Sequence, residues 1–300
     1  MVYTNFEQIK DKVTALGAPR RMAIAAADKH SIEAALEARK TGIASPVAVG
    51  DKAAILSILQ SLGQSIPDSD IFDVPGDEAA CELAVSLVRS GKADFLMKGK
   101  AETGTLLKAV VNKESGLGKG GIMSHFTLFE TPGYHKLLTV VDGGMVPYPD
   151  LEQKKHIIEN SVNTLLALGY DKPKVGVLAC VEKLNPKMPE TVDADALAKM
   201  AENGEITDCV ISGPISYDCA VSREIAALKG YNGAVAGDAD ILVAPNIHAG
   251  NIMGKMLICT CGAKMAGIIV GAKCPVVLTS RASSAEEKFY SIMLSAAVSI

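Results

Sequence analysis

The chain has 300 residues, 48% of them apolar and 4% aromatic, no tryptophan and a net charge of −4. That length suits one large or two modest domains, with a core of Ala, Val, Ile, Leu and Met. No run of Lys or Arg exceeds two residues, which excludes nucleic-acid binding through a broad basic face but leaves room for a local anion pocket.

Taken in chain order, Arg21 to Ala27 reads as a buried strand and Ser31 to Lys40 as a helix with Ser31 near its cap. Pro46 to Val49 is the next strand, Lys52 to Leu62 a helix, Ile71 to Val74 extended, Asp77 to Ser90 a helix and Phe95 to Met97 a strand. Strands alternating with helices predict an α/β fold with a mainly parallel sheet. After the strand Thr139 to Val141, the loop VVDGGMVPYPDLEQK leads into a long helix from about Leu151 to Leu168. A second series follows: Lys174 to Ala179, Ala194 to Asn203, Asp208 to Ile211 and Ile241 to Ala244. The apolar stretch Met256 to Leu278 is broken by Lys264, Lys273 and Pro275, so it reads as a helix followed by a strand, not a membrane span. Ser283 or Ser284 caps a last helix carrying Phe289, Ile292, Met293, Ala296 and Ala297. A domain boundary is expected near 143, giving one domain of 1–142 plus 268–300 and another of 143–267.

The seven cysteines are odd in number and include no CxxC, a pattern of reduced thiols that fits a cytoplasmic protein. MVYTNFEQIKDKV has no apolar h-region, so no secretory signal is expected at that end.

Ligands of open α/β sheets gather at the carboxyl ends of the strands. The loops expected there are KGKAETGTLLK, DGGMVPYPD, SGPISYD, PNIHAGN and SRASSAEEK. Glycine- and proline-bearing turns that open helices expose backbone N–H groups, which suit anions. Singly, each has a bland reading. Gly99 and Gly104 shape turns, Asp142 forms an Asx-turn or cap, Ser212 and Gly213–Pro214 make a turn, Asn246 caps a helix, and His125 and His248 are structural histidines. Neither GxGxxG after a strand nor GxxxxGK[ST] occurs, so a dinucleotide or P-loop site is unsupported.

Together the stretches LMKGKAETGTLLKAV, GIMSHFTLFETPGYHKLL, ISGPISYDCA, GDADILVAPNIHAGN and PVVLTSRASSAEEKFYSI resemble the phosphate acetyltransferase and phosphate butyryltransferase family. The SHF…PGYHKLL segment is closer to the butyryl branch. The resemblance implies a two-domain α/β fold like that of the isocitrate and isopropylmalate dehydrogenases, three-layered, with the active site in an interdomain cleft. It implies reversible acyl transfer between coenzyme A and inorganic phosphate, with coenzyme A as a substrate, no bound cofactor and no metal. It also implies a homodimer or higher homo-oligomer, with no nucleic-acid or membrane partner. Butyryl or branched short chains are the expected acyl groups. The alternatives are an acetyl-CoA-specific enzyme, a phosphate-substrate dehydrogenase of related fold, and a non-catalytic coenzyme A-binding relative.

Under that resemblance, Ser280 sits by the thiol and Arg281 engages a phosphate, for which a guanidinium has bidentate geometry. Glu287 stands where the acetyl enzymes carry a proposed aspartate base, although Ser284-x-x-Glu287 is equally a capping box. Lys108 stands where an arginine is expected. Lys98, Gly99, Thr103, Ser124 and His125 are expected along the phosphate or pantetheine path. Ser212, Gly213, Pro214, Asn246, Gly250 and Asn251 are expected to approach the acyl phosphate. Asp238 and Asp240 are expected to orient the PNIHAGN loop, and they and Asp142 to stand behind the residues that touch the ligand.

Overall fold

The computed structural model describes residues 2–279 and 283–299. In chain order the first elements are α1 (Phe6–Thr14), β1 (Arg20–Ala25), α2 (Lys29–Lys40), β2 (Ala44–Gly50), α3 (Lys52–Ser61), β3 (Ile71–Asp73), α4 (Asp77–Arg89), β4 (Phe95–Lys98) and α5 (Thr103–Val110). Then come β5 (Ser124–Glu130), β6 (Leu138–Val141), α6 (Leu151–Ala167), β7 (Lys174–Leu178), α7 (Pro189–Glu202), β8 (Val210–Ile215), α8 (Tyr217–Val221), α9 (Arg223–Leu228), β9 (Ile241–Val243) and α10 (Ile247–Cys259). The chain closes with β10 (Lys264–Val270), β11 (Val276–Val277) and α11 (Ala285–Val298).

Two compact units result. A central unit comprises Met1–Phe6 and Ile122–Met265, and an outer unit comprises Glu7–Gly121 and Ala266–Ile300. The first bound thus falls ahead of the β5–β6 hairpin and not after it. Leu128 pairs with Thr139, and Val140 with Leu242, so the hairpin extends the sheet of the central unit.

In the outer unit the strand order is β3-β2-β1-β4-β11-β10. All pairs are parallel except β10 with β11. β1 shows why: Met22, Ala23, Ile24 and Ala25 are fully buried, the apolar run of a strand covered on both faces. Burying Met22 and Ile24 contributes roughly 1.5–3 kcal/mol each. α2 begins at a capping box in which Asp28 accepts from the Ser31 amide, so Ser31, the third helical residue, is part of the cap as expected.

In the central unit the order is β5-β6-β9-β7-β8, with only β5 antiparallel. α6 starts at a second capping box, Asp150 with Gln153, and its buried Lys154 reaches Asp193 of α7 at 2.6 Å. Two expectations shift. The stretch expected as helix then strand contains an extra buried strand, β10, because the apolar run KMAGIIV has no periodicity to separate it from a helix. β8 continues through Ser212, Gly213 and Pro214 to Ile215, where a loop was expected. It is an edge strand, where a proline missing its N–H is tolerated. No helix among the described residues is long and apolar enough to cross a membrane.

Candidate active site

In the outer unit, β1 has β2 on one side and β4 on the other, so the strand order reverses between β1 and β4. The loops after these strands meet there. Gly99 donates to Ala25 O at 2.9 Å and Lys100 to Ala26 O at 2.8 Å. A Cβ at Gly99 would lie 2.1 Å from Ala26 O, so only glycine permits this approach. The Lys98 ammonium turns back onto its own loop, donating to Gly99 O at 3.0 Å and Ala101 O at 2.9 Å. Thr103 opens α5, whose N-cap Glu102 makes no side-chain cap bond. Lys108 lies at the other end of α5, about 8 Å along the helix axis from Thr103. It is exposed and paired with Glu78 at 3.0 Å. The structure therefore separates Lys108 from the Lys98–Thr103 loop with which the sequence grouped it.

Ser280 and Arg281 lie outside the described residues. Glu287 is described, and it completes a capping box: its carboxylate accepts from the Ser284 amide at 3.1 Å, and its own amide donates to Ser284 Oγ at 3.1 Å. This geometry is the capping alternative.

In the central unit, Asp142 follows β6 and is 2% exposed. One carboxylate oxygen accepts from the amides of Gly144 and Met145, both at 2.7 Å, and the other accepts from the His125 amide at 2.8 Å. It thus forms an Asx-type turn and joins the start of β5 to the loop after β6. Ser124, fully buried, accepts from Asn160 Nδ2 at 3.2 Å. The His125 ring packs on Gly144, where a Cβ would meet Nδ1 at 2.7 Å. Thr127 Oγ1 lies 3.3 Å from the same nitrogen. Burial pushes the His125 imidazolium below its ordinary pKa, against the opposing field of Asp142, so the ring is neutral at neutral pH.

The loop after β9 closes on this turn. Asn246 caps α10 by accepting from the Ala249 amide at 3.1 Å. Asn251 Nδ2 donates to Gly143 O at 3.0 Å. A Cβ at Gly250 would lie 2.4 Å from Asp142 O, so the first turn of α10 rests directly on the Asp142–Gly143 backbone. Asp142, Gly143, Gly144, His125, Asn246, Gly250 and Asn251 are therefore one packed group at the carboxyl ends of β6 and β9.

The first residues of SGPISYD lie within β8. Ser212 is buried and accepts from the Val235 amide at 3.3 Å. Gly213 sits where a Cβ would come within 2.9 Å of Ala194 O, so it admits α7 against β8. Pro214 is buried within the strand. The polar group at the carboxyl ends of β7 and β8 is instead Ser216, which sequence reasoning passed over. Its hydroxyl contacts Glu182 and Asp218, and the Lys229 ammonium lies 3.2 Å from it, 3.0 Å from Glu182 and 2.9 Å from Asp218. Hydrogen bonds from Ser216 and Lys229 hold both carboxyls below their usual range. Glu182, Asp218 and Cys219 are close enough together to offer metal ligands, and the Lys229 cation pairs with both acids.

Asp238 and Asp240 precede β9, at the end of that strand opposite Asn246, so they do not orient the PNIHAGN loop. They form an ion-pair group with Lys136, which is 4% exposed and lies 2.8 Å from Asp238 and 2.7 Å from Asp240. Lys174 and His135 complete it. Burial works to raise the Asp238 pKa, but hydrogen bonds from Lys136, Lys174 and His135 win and hold it well below the carboxylate range.

A family described as "Phosphate acetyl/butaryl transferase" matches residues 77–296. The chain is 46% identical over 280 residues to the phosphate butyryltransferase of Clostridium acetobutylicum, covering 93% of both. It is 44% identical over 283 residues to the phosphate acetyltransferase of Thermotoga maritima, covering 94% of this chain and 96% of the other. Among solved structures, a branched-chain phosphotransacylase from Enterococcus faecalis aligns with a TM-score of 0.81 at 32% identity, over 93% of this chain and 99% of that one. A 4-hydroxythreonine-4-phosphate dehydrogenase from Klebsiella pneumoniae aligns with a TM-score of 0.52 at 14% identity, over 94% of this chain and 100% of that one, a likeness of fold alone. The chain belongs to the phosphate acetyltransferase and phosphate butyryltransferase family.

Proposed function

We propose that the protein transfers a short-chain acyl group reversibly between coenzyme A and inorganic phosphate, preferring butyryl or branched chains to acetyl. Family membership across residues 77–296 carries the reaction. The likeness to a butyryl enzyme at 46% and to a branched-chain enzyme at 32% supports the acyl preference. The 44% identity to an acetyl enzyme supports acetyl-CoA as the second reading.

In the acyl-phosphate direction the thiolate sulfur attacks the carbonyl carbon. The C–S bond forms, the bond from carbonyl carbon to phosphate oxygen breaks, and phosphate leaves with that electron pair. A thiol with a pKa of about 8.5 must lose its proton, and the tetrahedral oxyanion needs donors. Ser280 is proposed beside the thiol, and Arg281 on the phosphate. Because Glu287 is held in a cap, the thiol proton is assigned to solvent or to departing phosphate. His125, Asn246, Gly250 and Asn251 of the central unit, with Lys98, Gly99 and Thr103 of the outer unit, are proposed to line the substrates. A cytoplasmic homodimer acting in butyrate metabolism is the reading that goes with the family.

The test is thioester formation by purified protein with coenzyme A and acetyl, butyryl or isobutyryl phosphate. Higher kcat/KM with the four-carbon donors is expected. Preference for acetyl phosphate would overturn the acyl preference, and no thioester with any donor would overturn the reaction. Arg281→Ala is expected to lower kcat/KM roughly 10²-fold, the scale of losing one donor at a developing charge.

A further inference from the structure

At the amino ends of β4 and β11, away from the Gly99 loop, the outer unit has a cavity of about 330 Å³. That volume is in the range of small-molecule sites, roughly 300–1,000 Å³. Ala93 and Asp94, ahead of β4, and Cys274 and Pro275, ahead of β11, line it, with Val88 and Val298 from the last turns of α4 and α11. Leu117 joins them, held by the Lys273 amide, which donates to Leu117 O at 2.8 Å. Leu117, Cys274 and Pro275 are buried. Burial pushes the Cys274 thiol up to about 12, so it is uncharged and acts as one more apolar group. β4 puts four residues, roughly 13 Å, between this cavity and the Gly99 loop.

The charges around this apolar lining are unbalanced. Asp94 is the one carboxylate among the described lining residues, and its Oδ2 already accepts from the Arg21 amide at 2.6 Å. Against it stand two cations. Arg89 spends one guanidinium N–H on Glu114 O, at 3.1 Å, and keeps the others open. Lys273 is exposed, and its ammonium meets no acceptor among the described residues. Two buried polar atoms beside the cavity are also unmet. Ser295 is fully buried on the face of α11 that carries Val298 and Ser299, and its Oγ has no partner. Arg20 stands level with Ala93 in the register of β1 and β4, and its Nε is buried without a partner. Buried polar atoms are normally paired, so such a pair of exceptions beside one cavity points to an absent acceptor or donor. The apolar lining disfavours a small hydrated anion, since nothing there replaces its water. The surplus of cations disfavours an amine. A carboxylate on a short apolar tail meets both conditions. We propose that this cavity binds a short-chain monocarboxylate, its tail on Leu117, Pro275 and Val298 and its carboxylate held by Arg89 and Lys273. The site is separate from the strand-end loops and does not depend on the acyl-transfer reaction.

The experiment is calorimetric titration of the full chain with hexanoate, acetate and hexylamine, in the native protein, Lys273→Glu and Val298→Trp. Hexanoate is expected to bind the native protein with a Kd on the order of 1 mM, the scale for a ligand of its size. Acetate, which lacks the tail, and hexylamine, which reverses the charge, should each bind at least about tenfold more weakly. Lys273→Glu, which reverses the cation, and Val298→Trp, which fills the cavity, should each weaken hexanoate at least about tenfold. Circular dichroism checks that both variants are folded. Lys273 is exposed, so its variant decides the matter even if the tryptophan disrupts packing. Absence of saturable hexanoate binding to the native protein would overturn the proposal. Unchanged hexanoate affinity in either folded variant would place the acid elsewhere, on the acyl site for example, and overturn it too. Hexylamine bound as tightly as hexanoate would do the same, because charge would then select nothing.

Discussion

Glu287 shows how one residue can satisfy two readings until its neighbours are seen. Its carboxylate and amide are both engaged with Ser284 at the start of α11. Glu287→Gln keeps an acceptor for the Ser284 amide, so it should leave kcat within about twofold; a base would lose 10²-fold or more. Ser284→Ala removes the cap and should cost about 1 kcal/mol in urea unfolding without a change in kcat. Gly250 makes a sharper case. An alanine there meets the Asp142 carbonyl at 2.4 Å, and backbone on backbone has no flexible end to yield. Gly250→Ala should displace the Asp142 turn and lower kcat/KM at least tenfold while far-ultraviolet circular dichroism remains native.

The elements legible in the sequence were those with one dominant signal. The long helix expected at 151–168 is α6, Leu151–Ala167, because Asp150 and Gln153 announce its start. Buried parallel strands such as β1, β4 and β9 stand out as short apolar runs. β10 did not, since KMAGIIV adjoins an apolar helix and only the turn around Gly262 divides them. In the site, Asp142 and Asn246 were legible because their partners lie within three residues. Ser216 was not, because its meaning comes from Glu182 and Lys229, 34 and 13 residues away. The same holds for the group that starts β9, where Lys136 meets acids about a hundred residues later. Lys136→Met would leave buried Asp240 without its cation, so it should destabilise the protein by about 3–5 kcal/mol in urea unfolding.

At the scale of the whole molecule, the Asp238 group sets a pH dependence. A carboxyl held below its ordinary range adds stability that is complete above the unfolded pKa of about 3.9 and is lost as pH falls through the folded value. The urea midpoint should therefore fall below about pH 4, and Asp238→Asn should flatten that fall.

The order in which the chain visits its two units has a consequence for synthesis. Tyr3 donates to Leu168 O at 2.9 Å and accepts from the Leu137 amide at 2.9 Å, so this segment waits for partners more than a hundred positions later. The outer unit waits longer still. β11 pairs with β4, and α11 packs on α2, so its sheet and helical cover are incomplete until β11 and α11 emerge. On the ribosome, the central unit, which ends at Met265, is thus the first that can close, although most of the outer unit is made before it. A chain stopped after residue 265 should hold a protease-resistant central unit attached to an outer unit that is readily cleaved.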